Sequence, residues 1–279
     1  MLNAFKAYDI RGRLGVDLDA GIARRIGRGF ARALGAQKVV LGRDIRASSA
    51  ELADAVAQAL MDEGAEVLDL GLAGTEEMYF AVSHFGADGG IEVTASHNPM
   101  DYNGMKMVRA GSAPLDTATG LGAIHDLALA DDFGAARPGG SIRDVGAEAR
   151  AAYVARMMDF VDVSALRPLK IVVNAGNGAA GPTFDAIAAA LAAQGAPLEF
   201  IRIHHQPDGS FPNGIPNPLL PENQPVTADA VRAAGADLGI AFDGDFDRCF
   251  FFDETGAFID GEYIVGLLAA AFLAREPGA

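Results

Sequence analysis

A single cysteine, Cys249, in 279 residues leaves nothing to pair with, so no internal disulfide forms and a reducing compartment is expected. Basic side chains are scarce: 22 Lys and Arg stand against 37 Asp and Glu, a net charge of −15. That balance excludes nonspecific binding to nucleic acid or to an anionic membrane; an anionic substrate would need positive charge gathered locally. Long apolar runs are missing as well. AALAAQGAPL and LLAAAFLA are too short to cross a bilayer, and the opening MLNAFKAYDIRGR lacks the apolar core of a signal peptide. The expectation is a soluble, cytoplasmic protein. Half the residues are hydrophobic, with Gly 34 and Pro 13, which is enough for one large domain or two ordinary ones.

The chain alternates strand-like and helix-like segments. Lys38 to Gly42 is a short buried-strand run. Ser48 and Glu51, at capping-box spacing, then open a helix-forming stretch that Gly64 closes. Glu66 to Leu70 reads as a strand, Met78 to Phe85 as a helix and Gly90 to Thr94 as a strand. The same order returns as Lys170 to Asn174, a helix from Pro182 to Ala193, Leu198 to Ile203, a Pro-rich excursion from 207 to 225, a helix from Thr227 to Ala234 and a strand from Ala236 to Ile240. Five elements agreeing in order predict a duplicated unit. The fold class expected is α/β: two similar three-layer α/β/α domains with mostly parallel mixed sheets, plus the start of a third. The domains expected are residues 1–142, 143–253 and 254–279, with a linker over 134–146 (GAARPGGSIRDVG); the third pattern, Ala257 to Leu273, looks cut short.

The repeat makes two loops equivalent. After the last strand of the first unit comes Thr94-Ala95-Ser96-His97-Asn98-Pro99; after that of the second comes Asp243-Gly244-Asp245-Phe246-Asp247-Arg248. Ligand sites gather at the carboxyl ends of strands in such sheets, so the two loops are expected to face one cleft. Ser96 and His97 are sequence neighbours. On an extended segment their side chains point to opposite faces, which places His97 poorly for deprotonating Ser96 and argues against a hydrolase triad. Asp243, Asp245 and Asp247 alternate in the second loop, and three like charges so close need a cation. All-oxygen donors suit Mg²⁺ or Ca²⁺. An EF-hand is the alternative, since Glu254 falls at the twelfth position, but Arg248 stands where the turn glycine is required and the flanks read as strands. A merely solvated acidic turn is the plainer alternative. A serine hydroxyl beside a hard cation, with Lys106 and arginines near, suits phosphoryl chemistry.

Together, TASHNP (Thr94 to Pro99), DGDFDR (Asp243 to Arg248), AYDIRG (Ala7 to Gly12) and DYNGMKM (Asp101 to Met107) resemble the motifs of the α-D-phosphohexomutase family, the phosphoglucomutases and phosphomannomutases. NPMDYNGMKM and FPNGIPNPLLPE point within it to the phosphomannomutase group. The resemblance implies interconversion of mannose 6-phosphate and mannose 1-phosphate through a phosphoserine and a hexose 1,6-bisphosphate, which also serves as activator. It implies one Mg²⁺ held by Ser96, Asp243, Asp245 and Asp247, with Arg248, Arg11 and Lys106 around the phosphate. Lys106, Arg11 and His97 would join Ser96 at the catalytic centre, Lys106 as a base only if its pKa is lowered and His97 shaping the serine loop rather than moving a proton. Arg43 and Arg46 either extend the positive rim or form structural ion pairs.

Two departures stand out. Thr75-Glu76-Glu77 occupies the place of the family's Pro-Thr-Pro-like turn. The family's sugar-reading loop and distal phosphate domain would lie beyond Ala279, so this chain alone is expected to bind metal, carry phosphoserine and turn over poorly. Other phosphohexomutases, a noncatalytic module binding Mg²⁺ and sugar phosphate, and a phosphatase with a phosphoserine intermediate are the competing functions; a homo-oligomer is left open. Cys249 is expected to be a buried small hydrophobe. NAGNGAAG (Asn174 to Gly181) is expected to be a tight strand–helix turn, and His84, His125 and the pair His204-His205 are assigned no chemistry.

Overall fold

A computed structural model describes residues 2–276 and 278. The first unit runs β1 (Ile10–Arg13), α1 (Ala20–Leu34), β2 (Lys38–Arg43), α2 (Ser49–Asp62), β3 (Glu66–Leu72), α3 (Thr75–His84), β4 (Gly89–Val93), β5 (Tyr102–Arg109), the two-residue β6 (Ala113–Pro114), α4 (Gly122–Ala130) and β7 (Ser141–Asp144). α5 (Gly146–Met158) follows, then β8 (Leu169–Asn174), α6 (Ala180–Ala193), β9 (Leu198–Ile203), α7 (Pro225–Ala234), β10 (Leu238–Phe242), β11 (Cys249–Phe252), β12 (Phe258–Ile259) and α8 (Gly261–Arg275).

The first sheet has the order β1-β5-β4-β2-β3-β7, with β6 on β5; the second has β12-β11-β10-β8-β9. Within each, the inner strands are parallel and the strand after the site loop returns antiparallel: β4 lies parallel to β2 and antiparallel to β5, as β10 lies to β8 and β11. Thus β5-β4-β2-β3 and β11-β10-β8-β9 have one topology, and the duplication expected from the sequence is present in the strand order.

Alternation along β2 explains the layers. Val39 and Leu41 join Ile26, Phe30, Val56 and Leu60 on the face covered by α1 and α2, while Val40 joins Leu68, Met78 and Val82 on the face covered by α3. In the second unit Val172, Val231, Ala241 and Phe252 form the core beneath α7. α5 packs against β3 and α3 on one side and α6 on the other, so it stands between the units. No helix among the described residues is long and apolar enough to cross a membrane.

Four local expectations are corrected. Residues 134–146 are not all linker: β7 adds to β3 in parallel, so a boundary at 142/143 falls inside a strand. Phe258 and Ile259 pair with β11 in the second sheet and do not open a third domain. α8 does follow them, exposing Tyr263, Leu267 and Phe272. Ser48 makes no capping bond, because its hydroxyl accepts Asn103 Nδ2 (2.8 Å) from β5 instead. Cys249 is exposed, since β11 begins at the site rim and only Phe252 at its far end is fully covered.

Candidate active site

Two loops meet between the units, as their equivalence predicts. Ser96 Oγ donates to Asp243 Oδ2 at 2.7 Å across 147 residues of sequence. The approach is backbone-close: a Cβ on Gly244 would press on the Ser96 carbonyl oxygen, so only glycine fits there.

The serine loop leaves β4 with Thr94, whose hydroxyl accepts the Ser96 amide (2.8 Å) and donates to Asp245 Oδ2 (3.2 Å). Ser96 is left-handed, φ 50°, and this breaks the extended geometry assumed for it. In consequence His97 does not point away: its Nδ1 lies 3.1 Å from Ser96 Oγ. Beneath the loop is Arg46, buried, which donates to the carbonyls of Ser96 (2.9 Å), Asn98 (2.5 Å), Pro99 (2.9 Å) and Tyr102 (3.3 Å). Asp44 balances it at 3.6 Å and accepts the Ala95 amide (3.4 Å) and Ser49 Oγ. Burial raises the Asp44 carboxyl above its usual range, against Ser49 and Arg46. Arg46 is therefore the internal clamp of the serine loop rather than part of a rim.

The acidic loop is the turn of the antiparallel β10–β11 pair, so it is not an EF-hand between helices. Arg248 closes it: its amide donates to Asp243 Oδ1 (3.2 Å), and its Nη2 donates to Ser96 Oγ (2.7 Å), to Asp243 Oδ2 and to His97 Nδ1. Burial and the Arg248 charge hold the His97 pKa below the ordinary value, so the ring is neutral and its Nδ1 can accept. Asp243 is pushed up to about 6, by burial first and by the Asp245 charge second. For Asp245 the same burial is outweighed by Lys106 and by hydrogen bonds from Lys106 and Thr75, and it stays below the usual range.

Lys106 projects from β5, where it pairs across the sheet with Glu92. Its Nζ donates to Asp245 Oδ2 (2.8 Å) and to Asp247 Oδ2. Burial alone would lower its pKa, but the two aspartates raise it well above the ordinary lysine value. With these two carboxylates as its partners Lys106 is held protonated, so the lowered pKa that a general base would need is not present in this arrangement. Arg11 stands further back, its Nη1 on the Thr94 carbonyl (3.1 Å) and its Nη2 on Asp9 (2.8 Å).

One carboxylate oxygen from each of Asp243, Asp245 and Asp247 lies within 4.8 Å of the others. Asp245 Oδ1 and Asp247 Oδ1 are buried and accept no hydrogen bond. Buried acceptors are almost always satisfied, so two orphaned oxygens within a cluster of three carboxylates fit a hard divalent cation.

Sequence reasoning missed the residues that join the units. Thr75 Oγ1 donates to Asp245 Oδ2 (2.8 Å), and the buried Glu77 accepts Thr183 Oγ1 (2.7 Å) and Arg150 Nε (3.2 Å) from the second unit. The only signal was the departure at Thr75-Glu76-Glu77. The NAGNGAAG turn is tight as expected, with Gly176 at φ 59° and Asn177 at φ 55°.

Residues 2–133 match the description "Phosphoglucomutase/phosphomannomutase, alpha/beta/alpha domain I", and residues 151–256 match domain II of the same family. Over the whole chain it is 59% identical to a phosphomannomutase of Salmonella montevideo and 57% identical to one of Escherichia coli. It spans 61% and 62% of their lengths. A crystal structure of a phosphoglucomutase/phosphomannomutase family protein from Burkholderia thailandensis superposes with a TM-score of 0.85 at 38% identity, covering 100% of this chain and 60% of that one. Both units, in order, thus have counterparts there, and the chain belongs to the phosphoglucomutase/phosphomannomutase family.

Proposed function

We propose that the protein is a phosphomannomutase, interconverting mannose 6-phosphate and mannose 1-phosphate by way of phosphorylated Ser96 and a hexose 1,6-bisphosphate. The names of the 59% and 57% identical relatives support the sugar. The observation that carries the chemistry is Ser96 Oγ at 2.7 Å from both Asp243 Oδ2 and Arg248 Nη2, beside two buried carboxylate oxygens without donors.

Asp243, Asp245, Asp247 and the Ser96 oxygen would hold Mg²⁺. Bound there, Mg²⁺ supplies positive charge against the phosphoryl oxygens. In the transfer itself, the bond between phosphorus and the Ser96 oxygen breaks as one to a sugar hydroxyl forms, and the proton of that hydroxyl ends, net, on Ser96 Oγ. The bisphosphate then turns, and its other phosphate returns to Ser96 Oγ. On that return the serine proton passes, net, to the sugar oxygen that is released. Asp243 Oδ2 accepts the serine hydroxyl at 2.7 Å, while His97 Nδ1, 3.1 Å away, is taken by Arg248 and steadies the loop. Arg248 and Lys106 hold the charge spreading over the phosphoryl oxygens, and Arg11 adds to the positive wall.

Intact mass tests the reading. Incubation with glucose 1,6-bisphosphate and Mg²⁺ is expected to add one phosphoryl group to the chain, and chelation to prevent it. No adduct under any condition would leave a noncatalytic sugar-phosphate module; steady release of inorganic phosphate would mark a phosphatase.

The site also predicts a pH dependence. Asp243 has its pKa raised from 3.8 to about 6, so its proton competes with the cation below that. Cation affinity is expected to fall as pH drops through 6, approaching about tenfold per unit. The metal-free fold behaves oppositely: the stability tied to Asp243 is fully present below 3.8 and is lost as pH rises through 6. Titration of Mn²⁺ affinity and of metal-free melting from pH 4.5 to 8 should show the two trends crossing. An affinity flat across that range would be inconsistent with Asp243 as a ligand.

A further inference from the structure

The first turn of α3 caps only one of its amides from within, Gly74 N donating to Glu77 Oε2 (3.0 Å). Gly74, at the N-cap position, has no side chain, and the room a Cβ would need is filled by the Phe246 ring of the acidic loop. The amides that follow have no partner within the helix. Here the second unit provides the partner: the Thr75 amide donates to the Asp245 carbonyl (3.2 Å), and the Thr75 hydroxyl donates to Asp245 Oδ2 (2.8 Å). Phe246 holds its place at φ 42°, a left-handed conformation that a phenylalanine keeps only under outside constraint.

The consequence falls on Asp245. Its Oδ2 accepts three donors, Thr75 Oγ1, Lys106 Nζ and Thr94 Oγ1, all contributed by the first unit, while its Oδ1 accepts none. The carboxylate is thereby prevented from rotating, with one oxygen saturated and the other left over. We infer that Thr75 is a positioning residue for the cation: by fixing Asp245 Oδ2 and the adjoining backbone from the other unit, it keeps Oδ1 as the coordinating oxygen. This rests on the reading of the acidic loop as a metal site. The Thr75 hydroxyl is spent on Asp245, so it acts through that residue, as outer-shell partners of ligating carboxylates do. Lys106 and Thr94 share Oδ2, but Thr75 alone also binds the Asp245 backbone, so it is the contact that ties side chain and loop together.

The experiment compares Thr75→Val, which keeps the shape and removes the hydroxyl, with Thr75→Ser, which keeps the hydroxyl. Free Mn²⁺ is counted by EPR in titrations of the whole chain, and melting of the metal-free chain is followed alongside. Thr75→Val is expected to weaken Mn²⁺ binding roughly 10- to 100-fold. Thr75→Ser should bind near the wild-type value. Should Thr75→Val not fold, Thr75→Ala against Thr75→Ser carries the same contrast. A Thr75→Val chain that melts lower yet binds Mn²⁺ as the wild type does would make the hydroxyl merely structural and overturn the proposal alone. A wild-type chain that takes up no Mn²⁺ would overturn the metal reading and this proposal with it.

Discussion

Ser96→Ala is expected to abolish phosphoryl uptake while leaving the fold intact. Removing the attacking atom of a covalent catalyst costs as much as about 10⁶-fold in rate. No neighbouring hydroxyl can replace it. Thr94 Oγ1 is committed, accepting the Ser96 amide and donating to Asp245, and Thr75 Oγ1 is spent on the same carboxylate. The fold should persist because Asp243 Oδ2 keeps Arg248 as donor when the serine hydroxyl is gone. Alanine at φ 50° is no more strained than serine. Ser96→Thr keeps the oxygen but puts a β-branched residue at that left-handed position, so it should fold less well and phosphorylate slowly. Intact mass of wild type and variants, each incubated with glucose 1,6-bisphosphate and Mg²⁺, is the measurement. An adduct of equal yield on Ser96→Ala would place the phosphoryl carrier elsewhere.

What the sequence disclosed follows from what is local in it. The strands and helices are legible because burial imposes period and punctuation on neighbouring residues, and the two loops are legible because the repeat aligns them. Their meeting at Ser96 and Asp243 needs only the rule that sites lie at the carboxyl ends of parallel strands. The rest depends on partners far away in the chain. Thr75 meets Asp245 across 170 residues and Glu77 meets Thr183 across 106, and no spacing announces either. The place of His97 turns on one dihedral: alternation holds only on extended backbone, and Ser96 is not extended. Lys106 shows the limit for charge. A lysine near a phosphoryl site can be tuned down to a base or up to a fixed cation, and only the two carboxylates at its Nζ decide which.

Arg46→Met is expected to cost about 3–5 kcal/mol of folding stability, since it leaves an uncompensated buried charge. The guanidinium lies among Ser96, Asn98, Pro99 and Tyr102 carbonyls, and its planar fork is what allows one side chain to serve four acceptors. Its Cζ also lies over the Phe211 ring of the second unit, 5.7 Å from the centroid, so the same group braces the serine loop against the neighbouring domain. Methionine fills much of the volume but donates nothing. The carbonyls lose their donor, and Asp44, already raised by burial with Arg46 beside it, loses its counterion. Arg46→Lys should recover part of the loss, because an ammonium keeps the charge without the fork. The defect has a pH signature with a definite sign. A buried carboxyl with a raised folded pKa favours the fold when protonated, so Arg46→Met should regain stability relative to wild type as pH falls through the raised Asp44 value, and Asp44→Asn in the same chain should remove that trend. Urea unfolding followed over a pH series from neutral into the acid range measures it; a loss under about 1 kcal/mol at neutral pH would place Arg46 among ordinary surface contacts. Because the clamp holds the Ser96 carbonyl, phosphoryl uptake by Arg46→Met should also fall under conditions where the variant is still folded. The clamp would then set the nucleophile's place, as a supporting shell must for a group misplaced by even about 1 Å to lose about 10²-fold in rate.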